Sequence, residues 1–132
     1  MRDFDTDILR VITAFENMTG TEVRDCVNTD TLYFLVNPGK VAIAIGRNGQ
    51  TIKTAEKMFQ KSIKVFEWSD NPEEFVRRLI PQAQKIEING TKVVVSLESK
   101  DRGIVIGKEG TNVKVIREIL ERNSEMKELK IL

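Results

Sequence analysis

The chain has 132 residues, of which 40% are hydrophobic and 31% charged, and its formal net charge is only +1. This length predicts one domain or two very small ones. It has no histidine and a single cysteine, Cys26, which excludes Ser-His-Asp and Cys-His catalysis, zinc sites built on His or paired Cys, and internal disulfides. No apolar stretch approaches the roughly 20 residues of a membrane span, and the acidic N-terminus lacks a basic and apolar leader. We therefore expect a cytoplasmic protein that is not an enzyme and uses no cofactor or metal.

In the first half of the chain, hydrophobic spacing and turn residues predict three helices and three strands. Asn28-Thr29-Asp30 lies between two strand-like segments and predicts a hairpin. The predicted elements, in chain order, are a helix over 6–18, strands over 22–28 and 31–36, a short helix after 37–39, a helix over 50–61 and a strand over 62–67.

The second half of the chain repeats this order. Asn71, followed by Pro72 and by Glu74, has the pattern of a helix N-cap, and Asn89-Gly90 is a strong hairpin signal. The predicted elements are a helix that Pro81 stops, strands over 85–88 and 91–97, a short helix around 103–106, a helix to about 122 and a strand over 129–132.

Each half therefore reads helix-strand-strand-helix-helix-strand. The hairpin strands pair antiparallel, whereas the last strand returns after two helices and can pair in parallel. The sequence predicts an α+β protein with two domains, over 1–69 and 70–132, each with a three-stranded mixed sheet and helices on one face.

An internal repeat carries the main functional signal. Ile43–Lys53 and Ile104–Lys114 align without gaps and are identical at five of eleven positions. Both copies read I-x-I-G-x-x-G, with a lysine four residues after the second glycine. A single G-x-x-G arises easily by chance, whereas two at the same place in a repeat indicate a shared function. The second copy has five extra residues before its last strand.

The glycine pairs suit the binding of phosphate. Glycine lets the backbone turn sharply and keeps side chains out of the path of a ligand, and the start of the next helix offers amide groups and a favourable dipole. Residues 40–64 also contain six Lys or Arg and one acid, a charge that attracts polyanions. A nucleotide-hydrolysing P-loop does not fit, because only three residues separate Gly103 from Gly107 and Glu109 replaces the required hydroxyl.

A G-x-x-G between two helices, preceded by a hairpin and present twice, resembles two type II KH domains in tandem. The stretches Ile45–Gln50 and Phe66–Val76 resemble more narrowly the KH pair of the NusA transcription factors, in the short, KH-only form of archaea. In KH domains this loop clamps the backbone of about four nucleotides. The resemblance implies a single-stranded RNA-binding factor of transcription elongation, termination or antitermination, with RNA polymerase as a candidate partner and no membrane or small-molecule cofactor.

The candidate residues combine these signals. Backbone amides with Arg47, Lys53, Lys108 and Lys114 are expected to hold phosphates, and base edges to bond along the last strands near Val65 and Ile131. The candidate RNA-binding residues are Ile43, Ile45, Gly46, Arg47, Asn48, Gly49, Ile52, Lys53, Val65, Ile104, Ile106, Gly107, Lys108, Glu109, Gly110, Val113 and Lys114. Because Glu109 opposes phosphate, we expect the first loop to be the stronger clamp.

Other residues and functions are also open at this stage. Lys57, Lys61 and Arg117 are expected to be surface charges, Cys26 a half-buried inert thiol, and Trp68 a packing residue between the domains or a base-stacking one. One alternative function is a KH protein of ribosome assembly or translation. The other is a protein-interaction module with vestigial RNA grooves, which would agree with the low net charge.

Overall fold

The computed structural model describes residues 6–132, and the chain divides into two compact units between Glu67 and Trp68. The first unit consists of α1 (Thr6–Thr19), β1 (Val23–Asn28), β2 (Thr31–Val36), α2 (Val41–Ile45), α3 (Gln50–Phe59) and β3 (Ser62–Glu67). The second consists of α4 (Pro72–Leu79), β4 (Lys85–Asn89), β5 (Lys92–Ser96), α5 (Ser99–Ile106), α6 (Thr111–Asn123) and β6 (Glu128–Ile131). A short 3₁₀ turn, Arg47–Gly49 or Lys108–Gly110, joins the last two helices of each unit.

Each unit contains one three-stranded mixed sheet, as the sequence predicts. In the first sheet β2 lies in the centre, pairing antiparallel with β1 and parallel with β3. In the second sheet β5 takes the same place between β4 and β6. The last strand of each unit therefore lies at an edge of its sheet, and the α+β architecture is confirmed.

In the first unit the core lies between α1 and the sheet. Ile12 and Phe15 are buried on α1, and the Phe15 ring stacks on that of Phe34 with centroids 3.8 Å apart. Ala44 of α2 and Ala55 of α3 are fully buried, and such small side chains let both helices approach the core closely. Burial of each large apolar side chain contributes about 1.5–3 kcal/mol. Cys26 belongs to this core and is buried rather than half-buried.

In the second unit the core lies among α4, α6 and the sheet. Asn71 caps α4 as predicted, because its Oδ1 accepts the Glu74 N–H at 3.0 Å. Phe75 is fully buried on α4, and α6 buries six of its thirteen residues. Trp68 belongs to this unit, where its indole N–H donates to the Asn123 carbonyl at 3.0 Å.

Two helix ends differ from the prediction. The helix expected around 103–106 begins earlier, at Ser99. Its first turn is polar and has no apolar periodicity, so the sequence pattern does not reveal it. The helix expected to reach Lys61 ends at Phe59, because Gln60 adopts the left-handed conformation and its N–H bonds the Glu56 carbonyl. Among residues 6–132, no helix is long and apolar enough to cross a membrane.

Candidate nucleic-acid interface

The first glycine loop changes the direction of the chain within four residues. Gly46 has φ 82° and ψ 170°, and Asn48 and Gly49 are both left-handed, with φ of 55° and 70°. The N–H of Gly49 donates to the Gly46 carbonyl at 3.0 Å, and the N–H of Gln50 donates to the Arg47 carbonyl. These bonds close a tight turn directly before α3, so the loop leads into a helix N-terminus.

The second loop repeats this backbone closely. Gly107 has φ 77° and ψ 173°, Glu109 has φ 56°, and Gly110 has φ 74°. The N–H of Gly110 donates to the Gly107 carbonyl at 3.1 Å. The repeat found in the sequence is therefore a repeat of local structure.

The two glycines of each pair have different structural roles. A Cβ on Gly46 would collide with Thr51, whose backbone nitrogen lies 2.8 Å from that point. A Cβ on Gly107 would likewise stand 2.7 Å from the Asn112 Cβ. No backbone atom approaches a Cβ on Gly49 or Gly110 in this way. The first glycine thus permits close packing of the following helix, whereas the second supplies only the left-handed turn.

Exposed isoleucines precede both loops. Ile43 and Ile45 on α2 are 50% and 36% exposed, and Ile104 on α5 is 64% exposed. Ile52 and Ile106 are half-buried. Apolar side chains left in solvent at repeated positions indicate a binding surface. Val113 does not join this surface, because it is buried in the second unit, unlike the repeat-equivalent Ile52.

Cations surround the first loop. Arg47, Asn48 and Lys53 are exposed, and the Lys53 Cε stands 3.8 Å from the position of a Cβ on Gly49. An open cleft of about 410 Å³ adjoins the loop, lined by Asn48, Gln50, Lys53, Thr54 and Lys57. Lys57, expected to be only a surface charge, also lines this cleft, and its position one helical turn after Lys53 is the sequence signal that predicts it.

The second loop is close to neutral. Lys108, Glu109 and Lys114 are all exposed, so the acid stands beside one of the two cations. Residues 101–125, the equivalent of 40–64, contain five basic and five acidic side chains. Asn112 braces the loop, because its Nδ2 donates to the Val105 carbonyl of α5 at 2.8 Å. The two loops thus share geometry and differ in charge.

The predicted strand positions face the open edge of each sheet. In parallel pairing, alternate residues direct their N–H and C=O groups to the same neighbouring strand. The Leu132 N–H donates to the Val95 carbonyl of β5 at 2.8 Å. The backbone N–H and C=O of the preceding residue, Ile131, therefore point away from β5, toward the open edge of the sheet. The Ile63 N–H donates to a Glu56 carboxylate oxygen rather than to β2, so the backbone groups of Ile63 face the open edge. Val65, two residues further along β3, directs its backbone groups to the same side.

Lys61 and Arg117, expected to be surface charges, both make structural hydrogen bonds. The Lys61 ammonium donates to the Asn28 side chain and, at 2.8 Å, to the Thr29 carbonyl. The Arg117 Nε donates to the Leu129 carbonyl at 3.2 Å. Among residues 6–132, no three His, Cys, Asp or Glu side chains group as a metal site.

Comparison with known proteins assigns the family. A family model described as KH domain matches residues 8–70 and again 73–131. The chain belongs to the KH-domain family. The two matches fall on the two structural units, so each unit of this tandem KH protein is one KH domain.

The relatives of the tandem KH protein are archaeal proteins described as "Probable transcription termination protein NusA". The one from Methanocaldococcus jannaschii is 31% identical, over 96% of this chain and 73% of its own length. The one from Halococcus morrhuae is 30% identical over 93% of both chains. The crystal structure of APE1850 is 34% identical, with a TM-score of 0.76 over 98% of this chain and 100% of that one. The chain is thus an archaeal NusA-like KH protein.

Proposed function

We propose that this protein binds single-stranded RNA with its two G-x-x-G loops and acts as a NusA-type factor in transcription elongation and termination. The observation that carries the RNA-binding proposal is the duplicated loop, with exposed isoleucines before it and lysine one turn after it. The names of the archaeal relatives support the role in transcription.

The first step of the mechanism is the capture of phosphate at the loop. The turn leads into the N-terminus of α3, where backbone amides and the helix dipole favour an anion. Arg47 and Lys53 add charge on the exposed side, and Lys57 extends it along the cleft. Gly46 and Gly49 present no side chain that would hold the phosphates away from these groups.

The second step is contact with the bases. Bases that leave the clamped backbone rest on exposed isoleucines, Ile43 and Ile45 in the first unit and Ile104 in the second. Their polar edges meet the outer edge of the last strand near Val65 or Ile131. Single-stranded RNA is recognised in this way, with bases on an apolar surface and hydrogen bonds to their edges.

The two loops contribute unequally to this mechanism. The first loop and its flanks, residues 40–64, carry six cations and one acid, whereas the equivalent residues 101–125 carry five cations and five acids. Glu109 also stands in the middle of the second loop, exposed beside Lys108. The first loop is therefore the main phosphate clamp, and the second contributes chiefly through apolar and backbone contacts.

The test is a fluorescence-anisotropy titration with mixed-sequence single-stranded RNA at several salt concentrations. If three or four phosphates are neutralised, log affinity falls against log salt with a slope of roughly −2 to −3. Absence of RNA binding at low salt would contradict the proposal and favour a protein partner for these surfaces.

A loop variant and a matched control assign the binding to the first loop. Arg47→Asp with Asn48→Asp is expected to weaken binding at least about tenfold, because it replaces the proposed phosphate-binding cation and its neutral neighbour with two acids. Arg10→Asp with Asn17→Asp makes the same two changes on exposed positions of α1. An equal loss in both variants would show a general charge effect and remove the first loop from the mechanism.

The transcription role is tested separately, by purifying the tagged protein from an archaeal lysate treated with nuclease. Recovery of RNA polymerase subunits supports it. Recovery of ribosomal subunits without polymerase would overturn it and leave the RNA-binding part in place.

A further inference from the structure

Several repeat-equivalent positions carry opposite charges, and in one such pair both side chains bond the last strand of their own unit. Glu56 lies on α3 and Arg117 on α6, 61 positions apart, the same offset that relates Ile43 to Ile104. Both are the seventh residue of the helix that follows the glycine loop. Neither belongs to the glycine loops or to the exposed isoleucines, so the phosphate clamp does not use them.

Each of these side chains bonds the same point of its last strand. A carboxylate oxygen of Glu56 accepts the Ile63 N–H at 2.9 Å, and Arg117 Nε donates to the Leu129 carbonyl at 3.2 Å. Ile63 and Leu129 are equivalent residues of β3 and β6. The backbone groups concerned face the outer edge, as the alternation of parallel pairing requires.

At Ile63 and Leu129, the edge of the first sheet therefore presents acceptors and the edge of the second sheet presents donors. In the first unit the N–H is taken by Glu56, and the carbonyl of Ile63 and the second carboxylate oxygen remain as acceptors. In the second unit the carbonyl is taken by Arg117, and the N–H of Leu129 and the outer guanidinium nitrogens remain as donors. Glu56 is half-buried and Arg117 exposed, so both can be reached from the edge.

We propose that Glu56 and Arg117 are specificity-determining residues, which give the first unit a preference for amino bases and the second a preference for keto bases. A carboxylate accepts from the amino group of cytosine, whereas a guanidinium donates to base carbonyls. The inference rests on the proposed RNA binding, since it assigns base classes to the same two edges.

A cleft in the second unit adds to this argument. An open cleft of about 280 Å³ lies beside the N-terminal end of β6, lined by Arg117, Leu120, Glu121, Met126, Lys127, Glu128 and Leu129. Of the five additional residues of the second copy, three lengthen α6 and two lengthen the connection to β6, and this region, with Glu121, Met126 and Lys127, forms part of the wall of the cleft. Arg117 thus borders both the strand edge and a recess with apolar side chains, where one base can be enclosed.

The experiment compares cytidine and uridine nonamers, which have the same size and differ in an amino or a keto group. Full-length protein with Arg47→Asp and Asn48→Asp leaves the second unit to bind RNA. Full-length protein with Ile104→Asp and Lys108→Asp, which removes both the exposed isoleucine and the cation of the second loop, leaves the first. We expect the second unit to favour uridine and the first to favour cytidine, each by about threefold to tenfold, the effect of one hydrogen bond.

Glutamine substitutions then test the two residues. Glu56→Gln and Arg117→Gln keep a group that can bond the strand, but each amide presents both a donor and an acceptor. Each variant is expected to lose its unit's preference while its summed affinity for the two nonamers changes less than twofold. Thermal melts verify that each variant folds. The two substitutions are tested independently, so a variant that fails to fold does not affect the test of the other residue.

The outcomes separate this inference from the proposed function. RNA binding without any difference between cytidine and uridine, or a preference that survives both glutamine substitutions, overturns the inference and leaves RNA binding intact. Failure of the unsubstituted protein to bind either nonamer at low salt overturns both.

Discussion

At the scale of single residues, the third position of each glycine loop separates two otherwise equivalent turns. Asn48 and Glu109 have φ of 55° and 56°. Asparagine adopts this left-handed conformation readily, because its short side chain bonds locally, whereas for other residues it costs roughly 1–2 kcal/mol. Glu109 therefore adds backbone strain as well as a negative charge to the second glycine turn.

Reciprocal exchange of these two residues tests the argument. Glu109→Asn is expected to tighten RNA binding about threefold, since it removes one repulsion close to a phosphate, and to stabilise the second unit slightly. Asn48→Glu is expected to weaken binding by a similar factor. Anisotropy titrations and urea unfolding measure the two effects. Equal affinities for both variants and the original protein would show that this position does not contact RNA.

The two glycines of a pair should respond differently to alanine. Gly46→Ala places a Cβ against the Thr51 backbone in a region of φ and ψ that only glycine occupies easily. We expect it to lower the free energy of unfolding by about 2–5 kcal/mol. Gly49→Ala meets no backbone and should cost about 1 kcal/mol. Urea unfolding compares the two variants. Equal losses in the free energy of unfolding would mean that the contact between the new Cβ and the Thr51 backbone does not destabilise the domain, which would contradict this account.

At the scale of elements, the start of α4 is determined locally. Asn71 accepts the Glu74 N–H, Pro72 occupies the first helical position, and Glu73 adds an acid to the first turn. Asn71→Ala is expected to lower the free energy of unfolding by about 1 kcal/mol, the usual loss of a capping side chain. Asn71→Asp should retain the cap. A loss as large for Asn71→Asp as for Asn71→Ala, in thermal or urea unfolding, would contradict this account.

Elements with local signals could be predicted from the sequence, and those without could not. The Asn71 cap and the Asn89-Gly90 turn follow from the residues at those positions, as does the alternation in β5. The start of α5 has no such signal, because Ser99–Arg102 are polar and Glu98 makes no side-chain cap. The bond from Arg117 to β6 joins residues twelve positions apart, which no local pattern specifies.

The candidate surface shows the same division. The glycine pairs and the isoleucines before them were predictable, since their spacing repeats in the sequence. The burial of Val113 was not, because α6 buries more of its length than α3 does, and Val113 and Ile52 look alike in sequence. The left-handed geometry of Asn48 was likewise not visible until the turn was seen in three dimensions.

At the scale of the whole molecule, the net charge of +1 conceals an uneven distribution of charge around the two glycine loops. Residues 40–64 carry a net positive charge, whereas the equivalent residues 101–125 carry none. Because the cations of the first unit concentrate near one loop, the protein can attract RNA locally without being basic overall. The low net charge therefore does not argue for vestigial grooves.

If both glycine loops bind RNA as proposed, the affinity is expected to depend on the length of the RNA. Once one domain holds a strand long enough for both, the second binds it within the same complex, and the effective concentration replaces the bulk concentration. At about four nucleotides per KH domain, the affinity should rise at least about tenfold when the RNA grows from four to about nine nucleotides. Ile104→Asp with Lys108→Asp, which removes the exposed isoleucine and the cation of the second loop, should reduce this rise while it changes the tetranucleotide affinity little. Anisotropy titrations over a length series of mixed-sequence RNAs measure both. A length dependence that this double variant leaves unchanged would show that the second domain does not take part in binding.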